Sequence, residues 1–247
     1  MKYSTIAAVI ACCALPVSSY ATDVSVGLGY VYQDTAYADY NNQHALAPLI
    51  NIEDEHFYVR VNQAGYYLMN DNKSQLSVVV LTNTDRWMGN RTQDYKNLDN
   101  RDASVLGGLQ YRLETADGIF NSLIASDMSG NSNGYYGDFS YAHPMKITNQ
   151  LSVSPTVGVQ WLNDDYADYY YGVDENDVAD ANGPLTAKSV GTSVRPYLTL
   201  KAEYMLDSKW NLTAAHNIQK LSGSLGDSSL VSKSTNSVTT LGLNYKF

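Results

Sequence analysis

The chain has 247 residues, with 16 Lys and Arg against 25 Asp and Glu, a formal net charge of −9, and only two cysteines. An acidic chain repels phosphate backbones, which argues against a nucleic-acid partner. Both cysteines, Cys12 and Cys13, fall in a leader-like segment, which excludes disulfides, thiolate metal sites and Cys nucleophiles from the rest.

Lys2, the apolar run 6–16 and Ser19-Tyr20-Ala21 form a charged n-region, a short h-region and a small-x-small cleavage site. A cleaved signal peptide over 1–21 is expected, followed by one domain over 22–247 with no Pro/Ser-rich linker. A lipobox reading of Val9-Ile10-Ala11-Cys12 is weaker, because cleavage there leaves a stunted h-region. Beyond the leader, the longest uninterrupted apolar run is Val78 to Leu81, far short of a membrane helix. Yet the chain carries 21 tyrosines. A soluble sandwich shows this profile, and so does a membrane barrel with alternating strands and interfacial aromatics.

The first strand is clean: Val24, Val26, Leu28, Tyr30 and Tyr32 alternate with Ser25, Gly27, Gly29 and Val31. A polar stretch from Gln33 to His44 follows, then a return strand from Leu46 to Ile52, with Pro48 expected near its start or at a bulge. Phe57 to Met69 alternates but is interrupted at Gly65. Asn70-Asp71-Asn72-Lys73 signals a turn before a strand over Gln75 to Asp85. A charge-balanced loop, Arg86 to Asp102, leads to the clearest interior strand, Ala103 to Glu114. Ile119 to Asp127 alternates poorly, whereas Gly134 to His143 and Leu151 to Trp161 alternate well. Asn163 to Thr192 is the longest irregular stretch. Strands over Val194 to Leu206 and Trp210 to Leu221 follow, with a loop from Ser222 to Asn236.

The chain ends on VTTLGLNYKF, with Phe247, Tyr245, Leu243 and Leu241 on one side of a strand and Lys246, Asn244 and Gly242 on the other. Such an end fits the closing strand of an outer-membrane barrel, with Tyr245 and Phe247 as the signal that barrel-assembly machinery reads. Single-chain bacterial barrels have even strand numbers, short periplasmic turns and long outer loops. Splitting Phe57–Met69 near Gly65 satisfies all three conditions. The fold expected is therefore an all-β, antiparallel transmembrane β-barrel of twelve strands, with ten as the alternative, bathed in outer-membrane lipid and lipopolysaccharide.

Three groups of residues invite a function. Arg60, Arg112, Glu114, Arg195, Lys201 and Glu203 face inward on this register, either lining a channel for anionic solutes or pairing with one another in a closed lumen. Asp164, Asp165, Asp168, Asp174, Glu175 and Asp177 suggest calcium or lipopolysaccharide bridging, but the spacing fits no EF-hand and a solvated acidic outer loop is favoured. Tyr166 and Tyr169, with Tyr170 and Tyr171, fit membrane-interface aromatics better than a sugar-stacking platform. His44, His56, His143 and His216 sit in no metal-ligand spacing, and no nucleophile elbow is present. No catalytic, metal or cofactor site is therefore expected.

Asn163-Asp164-Asp165-Tyr166-Ala167-Asp168-Tyr169-Tyr170-Tyr171-Gly172-Val173 resembles a loop motif of the MltA-interacting protein (MipA)/OmpV family. So do Gly226 to Val231, the Gly242 to Phe247 terminus, Ala47-Pro48-Leu49 and Ser154-Pro155 ahead of Gly158. The resemblance spans the chain after the leader, most specifically Leu151 to Phe247. It implies an outer-membrane barrel without a catalytic set. One branch of the family is described as a scaffold tying a periplasmic lytic transglycosylase to a murein synthase, and others as outer-membrane antigens or stress proteins. Three functions are expected in that order: a scaffold, a narrow channel for small or acidic solutes, and a surface adhesin acting through 163–192.

Overall fold

The computed structural model describes residues 23–40, 42–71 and 73–247. The leader, with its proposed cleavage site, lies outside the described residues. The chain forms a closed antiparallel β-barrel of twelve staves. In order they are β1 (Asp23–Asp34), β2 (Gln43–Glu53), β3 (Phe57–Arg60), β4 (Gln63–Asn70), β5 (Ser74–Thr82), β6 (Val105–Glu114), β7 (Ile119–Asp127) and β8 (Tyr135–Ala142). Then come β9 (Met145–Lys146), β10 (Leu151–Leu162), β11 (Ser193–Met205), β12 (Trp210–Lys220) and β13 (Thr235–Lys246). Both β8 and β9 pair with β10, so they are two pieces of one stave broken at His143-Pro144, where proline cannot donate to the ladder. Pairing of β1 with β13 closes the wall, from Ser25 against Lys246 to Asp34 against Ser237.

Alternation dictates the two surfaces. Leu28, Tyr66, Leu109, Ile124, Leu198 and Leu241 stand exposed on the outside, the arrangement for a wall solvated by lipid. Paired strands supply most backbone partners internally, as a spanning structure requires. Among the described residues no helix is long and apolar enough to cross a membrane.

The split of the third wall segment falls at Val61-Asn62 rather than near Gly65, because Gly65 sits inside β4 under the Tyr58 ring, where a Cβ would overlap it. Pro48 lies mid-strand, opposite Leu28, with no bulge. The strand expected over Gln75–Asp85 ends at Thr82, so Asp85 belongs to the loop above it. Despite its weak alternation, Ile119–Asp127 is fully paired with β6 and β8.

Short connections at one end (54–56, 71–73, 115–118, 147–150, 206–209) mark the periplasmic side; the long ones, together with the two-residue turn at 61–62, lie on the outer side. The longest outer loop is not irregular. It holds α1 (Asp164–Tyr171) and α2 (Glu175–Asp180). Around these helices gathers the buried core, which includes Trp87, Leu98, Tyr166, Tyr170, Tyr171 and Leu225. The packed core of this barrel is thus a plug built by its loops in the outer end of the lumen.

Candidate functional site

The plug begins with α1. Asn163 caps the helix, its side chain accepting from the Tyr166 N–H at 3.1 Å, and it also accepts from the Tyr135 N–H on β8 at 2.7 Å. Gly134 lets the first turn come this close; a Cβ there would lie 2.5 Å from the Tyr166 nitrogen. Spacings of four bring Tyr166 and Tyr170, and Ala167 and Tyr171, to one buried helix face. Tyr166, Tyr170 and Tyr171 are accordingly neither interface aromatics nor a sugar platform. They are buried in the plug. Tyr169 is half-buried, its ring against Tyr170 and its hydroxyl accepting from the Asp102 N–H at 3.0 Å.

At the plug's base Arg195, from the inner face of β11, meets Asp85 in a two-pronged ion pair of 2.6 and 2.9 Å. Their side chains are 2% and 8% exposed. Tyr166 donates to the same carboxylate at 2.8 Å, and the Tyr171 hydroxyl accepts from Arg195 at 2.8 Å. Arg195 Nε also donates to Gln160, which donates to Asp138, which accepts in turn from Tyr197 and Tyr136. One network therefore runs from loop to wall, and every member is satisfied, the condition on which buried charge is tolerated. Burial alone would raise the Asp85 pKa. The Arg195 guanidinium and the tyrosine hydroxyls outweigh it and hold the carboxyl below its ordinary value. Burial pushes the Tyr171 hydroxyl up to about 12, helped by the Asp85 charge.

Arg101 makes a second tie. Its guanidinium donates to the Tyr169 and Gly172 carbonyls at the C-terminal end of α1, at 2.7 and 2.8 Å, and to Asp177 of α2 at 2.8 Å. A cation at that end complements the helix dipole. Asp85 and Arg101 were not singled out from the sequence, since each looks like an ordinary loop charge. The 166/167/170/171 spacing after an Asn-Asp-Asp start was the signal available for α1.

The expected inward set divides. Arg195 is locked in the plug. Below it Arg60 pairs with Glu53 at 3.3 Å, Arg112 with Glu114 at 3.1 Å and Lys201 with Glu203 at 3.0 Å, all partly solvated. Exposure is greater below the plug: on β11, Arg195 is buried, Tyr197, Thr199 and Glu203 are half-buried and Lys201 is exposed. The lumen is thus solid at its outer end and wet toward the periplasm. In the acidic set, Asp164, Asp165, Asp174 and Glu175 are exposed, Asp168 accepts from the Val190 N–H, Asp174 caps α2, and Asp177 serves Arg101 and completes that capping box. Among the described residues no group of His, Cys, Asp and Glu is arranged to hold a metal. At the periplasmic end Tyr245 packs edge-on against Trp210 and Phe247.

The chain has relatives of similar length among known proteins. The outer-membrane protein YiaT of Escherichia coli (strain K12) is 29% identical over 248 residues, covering 97% of this chain and 98% of that protein. The MltA-interacting protein of the same strain is 31% identical over 226 residues, 90% of each. OmpV of Vibrio cholerae is 24% identical over 136 residues, 55% of this chain and 51% of that protein. Among solved structures, the NanC porin matches with a TM-score of 0.46 at 10% identity, covering 91% of this chain and 100% of that one. The family model of the MltA-interacting protein MipA matches residues 26–247. The chain is an outer-membrane β-barrel and belongs to the MltA-interacting protein family.

Proposed function

We propose that this barrel is a non-enzymatic scaffold whose periplasmic face recruits peptidoglycan-remodelling enzymes, among them a lytic transglycosylase and a murein synthase. The observation that carries this reading is the asymmetry of the lumen. Its outer end is filled by a packed plug with a buried ion pair, while its periplasmic mouth is wet and rimmed by the short turns. A relative named for its interaction with MltA supports the same direction. In this reading the acidic residues of 163–192 serve the plug and its solvated rim rather than an adhesive surface, and Tyr245 and Phe247 serve assembly.

The test is retention of a purified lytic transglycosylase, and separately of a murein synthase, on the immobilised refolded barrel. Saturable retention of at least one is expected. It should weaken when Glu55, Lys73, Asp117 and Lys209 on the turns, and Lys146 at the end of β9, are changed to Ser while the barrel keeps its heat-modifiable gel mobility. Failure to retain either enzyme overturns the scaffold.

One observation favours a second reading, a narrow conduit. The plug packs on the wall from β5 to β11, whereas inward residues on the remaining wall, such as Val31, Ala47, Asn217 and Thr240, are only half-buried. Reproducible conductance steps in a planar bilayer, altered by Arg195→Ala and Lys201→Ala, would replace the scaffold with the conduit.

A further inference from the structure

Strand pairing around the wall is not continuous. β2 pairs with β1 along its whole length, but with β3 only at Asn51, Ile52 and Glu53. β3 ends at Arg60 and the chain turns straight back through Val61-Asn62 into β4, whose first residue, Gln63, pairs with Leu81 near the top of β5. The Thr82 N–H donates to the Asn62 carbonyl at 2.9 Å, so the hairpin tip meets the upper end of β5 and goes no further. Among the described residues, no strand therefore pairs with His44–Ile50 of β2 on the side away from β1.

This gap is framed. Above it, the Asp39 carboxylate accepts the backbone N–H groups of Gln93 and Asp94 at 2.5 and 2.8 Å, joining the β1–β2 loop to the β5–β6 loop across the opening. Below it stands the Val61-Asn62 tip. The free edge carries Pro48 at its centre. A proline lacks the N–H that a neighbouring strand would take up, and natural sheets use it to keep an edge unpaired. The edge is built to stay open.

Both sides of the opening are apolar. Outside, Leu46 is 69% exposed and Val61 59%, the surface that faces lipid. Inside, β2 presents Ala45, Ala47 and Leu49, and β1 presents Gly29 and Val31. Leu49 lies flat over Gly29 and Gly242, and an added Cβ at Gly242 would come within 2.5 Å of it and push it into the lumen. The ion pairs of the lumen, by contrast, sit on other parts of the wall or lower down. A hydrated solute gains nothing from these side chains, whereas an acyl chain gains apolar contact with them.

We infer that the opening between the upper half of β2 and the 83–104 loop above β5 is a lateral window through which an acyl chain of a membrane lipid enters the barrel beside Ala45, Ala47 and Leu49. The inference is independent of the scaffold reading. It is tested on the refolded full barrel carrying Ala47→Cys and a small fluorophore, in phospholipid vesicles whose acyl chains are brominated. Two references carry the same label: Leu46→Cys, which faces lipid, and Thr156→Cys, which faces inward on β10. The expected result is quenching at Ala47 comparable to Leu46 and several-fold above Thr156. Quenching at Ala47 no greater than at Thr156 overturns the window. If Ala47→Cys loses the heat-modifiable gel shift, Ala45→Cys gives the same reading from the next inward position.

Discussion

At the scale of single residues, the Asp85–Arg195 pair decides how firmly the outer end is shut. Removing one partner of a buried, hydrogen-bonded pair strands the other charge, which costs about 3–5 kcal/mol. Asp85→Leu and Arg195→Met should each lower the temperature at which the heat-modifiable band is lost. The double substitution should cost less than either alone, because no lone charge remains. The pair also sets a pH window. Asp85 is held below its ordinary value of 3.8, so its contribution is fully present above that pH and is lost as pH falls through the lower folded value. Tyr171 acts in the opposite sense: raised from 10.0 to about 12, it contributes below 10 and the contribution is lost as pH rises through about 12. Limited proteolysis of the 83–104 loop should therefore be slow across the neutral range and quicken at both extremes. Asp85→Asn should remove the acid limb only.

At the scale of elements, α1 depends on its start and the wall on close glycine–aromatic approaches. Asn163→Ala removes a cap and a tie to β8, and losing the cap alone costs about 0.5–2 kcal/mol. Hydrogen exchange should show faster opening of the 164–171 amides with the barrel strands unchanged. On the wall, the Tyr197 ring lies across Gly158, its paired residue, with a ring atom 2.3 Å from where a Cβ would stand. Gly158→Ala forces the ring off and with it the Tyr197–Asp138 hydrogen bond. A cost of about 1–3 kcal/mol is expected, as for other overpacked sites, and thermal melting of the folded band measures it.

At the scale of the whole molecule, wall and plug are separable. Strand pairing closes the barrel without the loops, while the hydrophobic cluster belongs almost wholly to the loops and the outer strand ends. Replacing 164–181 with a short Gly/Ser linker should leave the heat-modifiable shift intact and give the barrel clear conductance steps in a planar bilayer. Unchanged conductance would mean that the remaining loops seal the outer end without the helices.

Much of this architecture follows from the sequence alone, because membrane strands are governed by a two-residue alternation that survives without any partner in view. Val105 to Glu114 and Thr239 to Phe247 announce both surfaces, and the lengths of the turns orient the barrel. The strand expected over Ile119–Asp127 forms with those bounds, and its alternation is weak because Ser122 and Ser126 stand on its lipid-facing side. The plug was far less legible. An acidic, tyrosine-rich loop has the same composition whether it is solvated or folded inward, and only the approach of Asn83, Asp85 and Arg101 from another loop tells the cases apart. The sequence by itself determined the wall, its orientation and the family. Only the tertiary structure decided that the outer end is filled, that Arg195 is a latch rather than a lining charge, and that β2 keeps a free edge. Alternation is a local property of the chain, whereas ion pairing and the height at which a hairpin stops depend on residues far apart in sequence.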